Sequence, residues 1–386
     1  MYNRKRAIKT AAILAALLMA PGLSEARDNN TVTPSVTLDT RYDSNVRFKN
    51  SREKGDGDFV ASVSPRLEFA RRGQHYGVQG FYSLTADYHT DNTDLNNLSH
   101  SVGLTLDATL TRKWRFGLGG RADYYEDSLR AVGEGILVAR TDILSTTAYA
   151  SISRQMSVNT SLTLTAKDRI QEFDNPQLVD SRTDSGTLTA THRYSQTGTA
   201  NASYSYTVYD FDTDRSRITA HGVGVGFREA ISSSTNIELG GGVEYADYTG
   251  DGGNDLFFTG NAGLEKALKD SYMTLMYERA MTTPTGLTDE ISIRDSVSFI
   301  WDFNLRRDLS ASFFTGMARN RSEPSGRVGV NSVVVEVAGN WQPYKWLVLG
   351  AGLSHYQQWP EDSFDIGLKR NKVFINATLI GEAWRF

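Results

Sequence analysis

The sequence contains no cysteine and only 8 prolines among its 386 residues. Without cysteine there is no disulfide framework, no thiolate metal site and no lipid-modified cysteine near the N-terminus. Beyond residue 26, no apolar run approaches the ~18 residues that a transmembrane helix requires. The charge balance is also weak, with a formal net charge of −4 at pH 7. These absences argue against a disulfide-rich protein, a helical membrane protein and a nucleic-acid-binding protein.

The N-terminal residues have the pattern of a secretory signal peptide. A basic stretch that contains Arg4, Arg6 and Lys9 precedes a short apolar segment at 11–20, and Ser24-Glu25-Ala26 is an acceptable cleavage site. The apolar segment is too short to persist as a membrane span. We therefore predict that residues 1–26 are a signal peptide and that residues 27–386 form a single mature domain.

The rest of the chain alternates between apolar and polar residues over unusually long segments. Val102, Leu104 and Leu106, for example, alternate with small or polar residues through Leu110. Runs of ten or more residues with period two exceed the ~5–6 residues of an ordinary strand and match a tilted strand that crosses a bilayer. The hydrophobic fraction of 39% suits strands with one face toward lipid and the other toward water.

Short polar turns and longer segments rich in Asp, Asn and Gly follow each other in strict alternation. The turns lie near 71–73, 111–113, 154–156, 195–198, 230–234, 267–270, 306–308 and 341–344. The longer segments lie near 43–57, 89–98, 127–140, 171–184, 210–217, 248–255, 282–290, 319–327 and 357–371. Bacterial outer-membrane barrels have short periplasmic turns and long extracellular loops, so this pattern predicts about eighteen strands.

The last residue, Phe386, ends an alternating segment that begins near Lys372. A terminal aromatic residue on a final amphipathic strand is typical of barrels that the outer-membrane assembly machinery recognises. We therefore predict an all-β protein, a single antiparallel transmembrane β-barrel in contact with lipid in the outer membrane of a Gram-negative bacterium. Phe386 is the predicted assembly signal, and both ends of the mature chain are expected in the periplasm.

The face opposite the apolar one is expected to line the lumen, and it carries charges of both signs. These charges would either stiffen the wall as ion pairs or line a polar conduit. The lumen-lining candidates are Asp87, Asp107, Arg115, Arg121, Asp123, Lys167 and Arg169. Asp295 breaks the pattern, because it shares a face with Ile293, Val297 and Phe299, and it requires a bulge or an interfacial position there.

No residue pattern indicates catalysis or a cofactor. None of the six histidines has a nucleophile and an acid in triad-like spacing, although triads are spatial and need not be visible in sequence. Clusters of metal ligands are also absent. Gly222, Gly224 and Gly226 alternate in a strand without the context of a nucleotide-binding loop, and we interpret them as small residues that allow close approach or curvature. We therefore expect no enzyme activity, no cofactor and no metal.

The first strand ends in Tyr42-Asp43-Ser44-Asn45-Val46. A barrel that opens with a strand ending in Tyr-Asp-x-Asn-Val, and continues as hairpins to a terminal Phe, resembles the β-barrel porin-2 type of outer-membrane proteins. The likeness extends over the mature chain, but only this stretch is motif-like. The resemblance implies a conduit for export of an exopolysaccharide or capsular polysaccharide, with a periplasmic polysaccharide-export protein as a partner. It supplies no catalytic or binding residues.

The physical alternative is a general diffusion porin for small hydrophilic solutes, which needs no partner. Such porins usually narrow their pore with a long loop that folds inward. No loop predicted here is conspicuously long, since the longest has about fifteen residues. From the sequence alone, these loop lengths mildly disfavour a loop that folds inward.

Overall fold

The computed structural model describes residues 29–125, 140–213, 217–249, 253–283, 286–361 and 367–385. These residues form eighteen long antiparallel strands, and a short 3-10 helix at Thr93–Leu95. Among them, no helix is long and apolar enough to cross a membrane. The strands are β1 Asn29–Asp43, β2 Asp58–Arg72, β3 Tyr76–His89, β4 Asn97–Thr111, β5 Trp114–Tyr125, β6 Ile143–Gln155, β7 Thr160–Phe173, β8 Ser181–Arg193, β9 Gly198–Phe211, β10 Arg217–Ser232, β11 Thr235–Tyr248, β12 Asn254–Ala267, β13 Ser271–Thr282, β14 Ile291–Arg306, β15 Leu309–Glu323, β16 Gly329–Tyr344, β17 Leu347–Pro360 and β18 Leu368–Ile380, which continues after a break as Trp384–Arg385.

Each strand pairs with its neighbours in sequence, and the first strand pairs with the last. The β1–β18 register runs from Ser35 opposite Ile380 to Asp43 opposite Lys372, and Trp384 beyond the break lies opposite Val32. The sheet is thus a closed barrel without an open seam between its ends. The predicted all-β barrel of about eighteen strands is confirmed.

The period-two pattern determines which residues face outward. Leu38, Val63, Leu118 and Val225 belong to the apolar one of the two alternating sets of residues on their strands, which we call the apolar parity. They are 39 to 57% exposed. Large apolar side chains that are this exposed on strand after strand are suited to the outer wall, where lipid replaces water as their surroundings. The other set of residues on each strand, the polar parity, consequently faces the lumen.

The connections divide into two ends, which we call the turn end and the loop end. The turn end carries the short connections, such as 73–75 and 345–346, and the loop end carries the longer ones, such as 44–57 and 283–290. The predicted turns and loops within the described residues fall between strands, to within a few residues. The predicted loop near 127–140 lies outside the described residues, except for residue 140. The assignment of the turn end to the periplasm stays a prediction. The signal peptide at 1–26 and the assembly signal Phe386 lie outside the described residues.

Candidate functional site in the barrel lumen

The predicted lumen residues all lie on the polar parity of their strands. Arg121 is opposite Gly103, and Asp123 is opposite Ser101, in the β4–β5 register. The cross-strand partners of the others belong to the same face: Asp87 opposite Ser62, Asp107 opposite Gly77, Arg115 opposite Thr109, Lys167 opposite Tyr149 and Arg169 opposite Thr147. The barrel therefore places the seven side chains along one continuous stretch of inner wall, on β3–β7. Their part in solute passage stays a prediction.

Asp87 belongs to a chain of ion pairs that ties β1, β2 and β3 together. The guanidinium of Arg41 contacts Asp39 at 3.2 Å and Asp87 at 3.0 Å, and it donates to the Ser62 hydroxyl at 2.7 Å. Ser62 in turn donates to Asp87 at 2.5 Å. Because every carboxylate oxygen of Asp87 is engaged, this residue acts first as a strut of the wall.

Arg121 and Asp123 form a second pair on the same wall, but with unequal exposure. Asp123 accepts from the Ser101 hydroxyl at 2.6 Å and from two nitrogens of Arg121 at 2.7 and 2.9 Å. The Arg121 side chain is 55% exposed and the Asp123 side chain only 13%. The carboxylate is thus fixed to the wall, and the guanidinium extends into the lumen, where a solute can reach it.

Aromatic rings lie flat on this wall because glycine leaves room beneath them. A Cβ on Gly103 would be 2.4 Å from the Phe81 ring, and a Cβ on Gly119 would be 2.3 Å from the Tyr149 ring. Arg66 lies over the Phe81 ring at 4.1 Å from its centroid. The rings, guanidinium groups and nearby hydroxyls line a depression of about 590 Å³.

The lumen-facing charges are distributed unequally around the barrel. On β2–β8 they include Arg66, Arg115, Arg121, Lys167, Arg169 and Arg193 against Glu68, Asp87, Asp107 and Asp123. On β9–β17 they are Glu238, Glu244, Asp255, Glu265, Glu278, Asp302 and Glu336 against Arg228 and Arg294. We call these the basic wall and the acidic wall. A solute inside the lumen therefore lies in a field directed across the pore.

The three alternating glycines lie on the acidic wall, and their lack of side chains exposes its backbone. A Cβ on Gly222 would be 2.4 Å from the Ser205 hydroxyl, and one on Gly226 would be 2.9 Å from the Asn201 amide. The neighbouring polar side chains can therefore lie flat. The resulting trough has a volume of about 710 Å³ and carries Glu238 and Glu278 on its rim.

Part of one hairpin leaves the wall and enters the lumen. β12 pairs with β13 only from Gly260 opposite Arg279 to Ala267 opposite Tyr272. Beyond Arg279, the apolar residues of the β13–β14 hairpin pack against the inner wall of β9–β11 instead. This buried cluster consists of Met281, Ile291 and Ile293 together with Tyr209, Phe211, Ile218, Ala220, Ala246 and Tyr248. We call residues 280–283 and 286–293 the inserted hairpin.

The tip of the inserted hairpin contacts three other connections at the loop end. The Val179 amide donates to the Gly286 carbonyl at 2.8 Å. Thr213 donates to Asp289 at 3.3 Å, and Ser325 donates to Glu290 at 2.7 Å. The tip therefore reaches across the mouth of the lumen and narrows it. The expectation against a loop that folds inward was wrong, because a short loop can constrict a pore when the strands that carry it bend inward.

Asp295 marks the point where the hairpin leaves the wall. It lies on the outer face and accepts from two neighbours, from Arg279 at 2.9 and 3.1 Å and from the Tyr277 hydroxyl at 2.9 Å. Arg279 also donates to the Phe258 carbonyl at 3.0 Å, on the edge of β12 that has just lost its partner strand. Sequence reasoning missed the inserted hairpin, and the misplaced charge at Asp295 was its only visible signal.

The Tyr-Asp-x-Asn-Val stretch closes the barrel seam and shapes the first loop. The Asp43 carboxylate accepts from Arg370 of β18 at 2.8 and 2.9 Å, and both side chains are almost completely buried. Asn45 donates to the carbonyls of Lys49 and Lys369, at 2.8 and 3.2 Å. Val46 packs on Val60 and Leu95. The residues that carry the resemblance therefore hold the loop end together.

Two carboxyl groups in the loops show opposite electrostatic surroundings. The hydrogen bond from Arg47, at 2.7 Å, lowers the pKa of the exposed Asp94. Burial raises the pKa of Asp180, and the nearby charges of Asp212 and Asp174 raise it further, although the Phe173 amide donates to this group at 2.8 Å. The carboxyl group with the raised pKa, Asp180, is thus next in sequence to Val179, which contacts the hairpin tip.

The His, Asp and Glu side chains of the described residues are dispersed over the barrel. Within the described ranges, no three His, Asp or Glu side chains are grouped so that they could hold a metal ion. His100 and His221 lie on the outer wall and contact the hydroxyls of Tyr82 and Tyr204, at 2.9 and 2.8 Å.

Comparison with solved structures identifies proteins of the same fold. The chain is similar to OccAB2 of Acinetobacter baumannii, with a TM-score of 0.51, 14% identity and coverage of 93% of this chain and 98% of that one. For OccK2 (OpdF) of Pseudomonas aeruginosa, the TM-score is 0.51 and the identity 11%, with coverage of 90% of this chain and 98% of that one. For a BenF-like porin from Pseudomonas fluorescens Pf-5, the TM-score is 0.50 and the identity 11%, with coverage of 91% of this chain and 99% of that one. No family model and no curated protein matches the sequence.

These likenesses establish the fold, and the outer wall establishes its surroundings. A closed antiparallel barrel satisfies its backbone hydrogen bonds internally, and it is the β architecture that can span a membrane. Eighteen strands with an apolar exterior and a polar interior are the architecture of porin-type outer-membrane proteins. The barrel therefore lies in the outer membrane of a Gram-negative bacterium.

Proposed function

We propose that the protein is a diffusion channel for small hydrophilic solutes. This proposal rests on the inserted hairpin, which narrows the wide polar lumen at the loop end. A barrel of ~16–18 strands without such an insertion leaves an aqueous channel. An unobstructed channel suits a polymer, whereas a narrowed one selects by size.

The chemistry of both walls supports passage of hydrated, polar molecules. Hydroxyl, amide and charged groups face the lumen on the basic wall and the acidic wall alike, so that a solute can exchange its water shell for wall contacts. One of the similar structures is named a porin, which agrees with this function. Passive diffusion requires no catalytic step, and we propose that the protein is not an enzyme.

The polysaccharide conduit implied by the porin-2 resemblance stays a hypothesis. Its periplasmic export partner, and recognition of Phe386 by the assembly machinery, stay predictions as well. The motif that carries that resemblance holds the loop end together through its hydrogen bonds and packing. We therefore propose the small-solute function as the main one.

Swelling of liposomes that contain the purified barrel tests this function. Liposomes are diluted into isotonic solutions of sugars of increasing size, from a monosaccharide to a tetrasaccharide and a polymeric dextran. We expect fast swelling with the smallest sugar, slower swelling with each larger one and none with dextran. Equal rates for all sugars, or entry of the polymer, would favour the polysaccharide conduit. No swelling at all would contradict both functions.

A further inference from the structure

The loop-end half of β12 has one paired edge and one open edge. Its pairing with β11 extends to Asn254 opposite Asp247, whereas its pairing with β13 stops at Gly260. On the other edge, Arg279 donates a hydrogen bond to the Phe258 carbonyl, and Phe257 packs against the cluster that contains the hairpin's apolar residues. Unpaired backbone groups beside lipid are unfavourable, and a barrel wall ordinarily leaves none.

The strand that would cover this edge is the one that has turned inward. Met281, Ile291 and Ile293 share the outer parity of Tyr277 and Val297 in the β13–β14 register. Their apolar side chains would therefore face lipid if the hairpin stood in the wall. In the inserted position the same side chains face the apolar inner wall. One face of the hairpin thus suits both environments.

The existing register can be continued without placing a charge in lipid. Extending the Gly260–Arg279 pairing brings Phe258 opposite Met281 and Leu256 opposite Thr283. Phe258 and Leu256 are 67% and 57% exposed on the outer wall. The extended pairs would consist of apolar residues and one threonine.

We propose that the inserted hairpin is a gate that moves between the lumen and the barrel wall by pairing β13 with the open edge of β12. The inserted position narrows the mouth, and the wall position widens it. The proposal rests on the proposed channel function, because a gate needs a conducting path. β14 stays paired with β15 up to Ile291 opposite Glu323, so the loop-end part of β15 moves together with the hairpin.

The two positions exchange comparable sets of interactions. Leaving the lumen breaks the tip contacts Val179–Gly286, Thr213–Asp289 and Ser325–Glu290, and it exposes the apolar cluster. Entering the wall forms new ladder hydrogen bonds along β12. An element with two such alternatives can switch when a small free energy is added to either side.

Arg279 is placed as the hinge of this movement. In the inserted position its guanidinium donates to the Phe258 carbonyl and also holds Asp295. In the wall position, a backbone amide of β13 would donate to the Phe258 carbonyl in place of Arg279. The Arg279 guanidinium would keep its ion pair with Asp295. The charge pair therefore stays satisfied in both positions, which explains a polar pair on the outer wall.

Disulfide trapping tests the proposal directly, since the native chain has no cysteine. The variant F258C/M281C places two cysteines where opposite strand residues would meet, within reach of a disulfide, only in the wall position. The variant T213C/D289C links the hairpin tip in its inserted position. The control L264C/L275C joins residues that are already opposite each other on the same two strands.

Cross-linking is read from gel mobility of the folded barrel, and gating from current through planar bilayers. We expect F258C/M281C to cross-link as the control does, with loss of the low-conductance level that reduction restores. The T213C/D289C link should remove the high-conductance level. No F258C/M281C link under conditions that complete the control would overturn the gate, and so would a link that leaves conductance unchanged. If the disulfides form but no variant conducts current, the channel function is overturned, whereas the pairing of β13 with β12 is not.

Discussion

At the scale of single residues, buried polar groups at the loop end carry much of the structural information. Asp43 and Arg370 are 1% and 2% exposed, and the Arg370 guanidinium also lies over the Phe48 ring at 4.6 Å from its centroid. A charge removed from solvent this completely needs its partner, because neither water nor another group can replace it. The pair therefore joins β1 to β18 at the closing seam of the barrel.

We expect Asp43→Ala to destabilise the barrel by about 3–5 kcal/mol, since it leaves the Arg370 charge buried without a carboxylate. The double variant D43L/R370M should lose less, because no unpaired charge remains. Unfolding by denaturant in lipid vesicles measures both changes. The control is Glu68→Ala, which breaks an exposed pair with Arg66 on the same inner wall and should cost less than about 1 kcal/mol. Equal losses for Asp43→Ala and Glu68→Ala would contradict the seam role.

Asp180 gives the mouth of the barrel a pH dependence. Its pKa is raised in the folded loop by burial, so folding favours the protonated form. Protonated Asp180 therefore stabilises the folded loop. This stabilisation is complete below pH 3.8, the ordinary pKa of an aspartate, and is lost as the pH rises through the raised pKa of the folded loop. We therefore expect the 174–180 loop to be packed most firmly in acid.

The variant Asp180→Asn keeps an oxygen for the Phe173 amide but cannot ionise. We expect it to slow hydrogen exchange of the Val179 amide near neutral pH, and to flatten the pH dependence after correction for the intrinsic exchange rate. Asp94→Asn serves as the control, because the pKa of Asp94 is lowered by Arg47 in a different loop. It should leave the Val179 amide unchanged. Faster exchange in Asp180→Asn would show that the charge stabilises the loop.

At the scale of strands, glycine determines how far aromatic rings project into the lumen. Phe81 can lie against the wall only because its β4 neighbour, Gly103, has no side chain. We expect Gly103→Ala to push this ring into the lumen, lowering single-channel conductance and costing about 1–3 kcal/mol of stability. Gly77→Ala, on the same inner wall, is the matched control because no atom lies within 4 Å of the added Cβ. Equal conductance in both variants would contradict this role.

The strands themselves could be predicted from the sequence, because alternation is a local property. Turns such as 71–73 and 306–308 follow from the point at which apolar alternation stops and restarts. The path of the β13–β14 hairpin could not be predicted in this way. Lipid and an apolar inner wall select the same residues, so Met281 and Ile293 fit either position equally well. Only Asp295, which needs polar partners on an apolar face, distinguished the two.

The ion pairs of the lumen show a similar limit. Parity alone placed Asp87 and Arg121 on the inner wall. It could not show that Asp87 is engaged by Arg41 and Ser62 while most of Arg121 stays exposed, because these contacts depend on neighbouring strands far away in sequence. The distinction between a strut and a solute-accessible charge requires the closed barrel.

At the scale of the whole molecule, closure of the sheet brings distant strands together and creates a field across the lumen. Arg115 and Arg121 belong to the basic wall, while Glu278 and Glu336 belong to the acidic wall. Along the chain these charges form no cluster of one sign, and the net charge is close to zero. The separation exists only because β2–β8 and β9–β17 are opposite arcs of one barrel.

This separation predicts how ion selectivity changes when one wall is altered. We expect the double reversal R115E/R121E to favour cations, because both walls then carry excess negative charge. A contact between unit charges at 4 Å is worth about 1 kcal/mol in water, so the permeability ratio should shift roughly fivefold. Reversal potentials in planar bilayers under a salt gradient measure this ratio. The control K113E/K269E changes the net charge equally but at the turn end, outside the lumen. If both double variants shift the reversal potential alike, the net charge of the protein controls selectivity, and the arrangement of charges on the two walls does not.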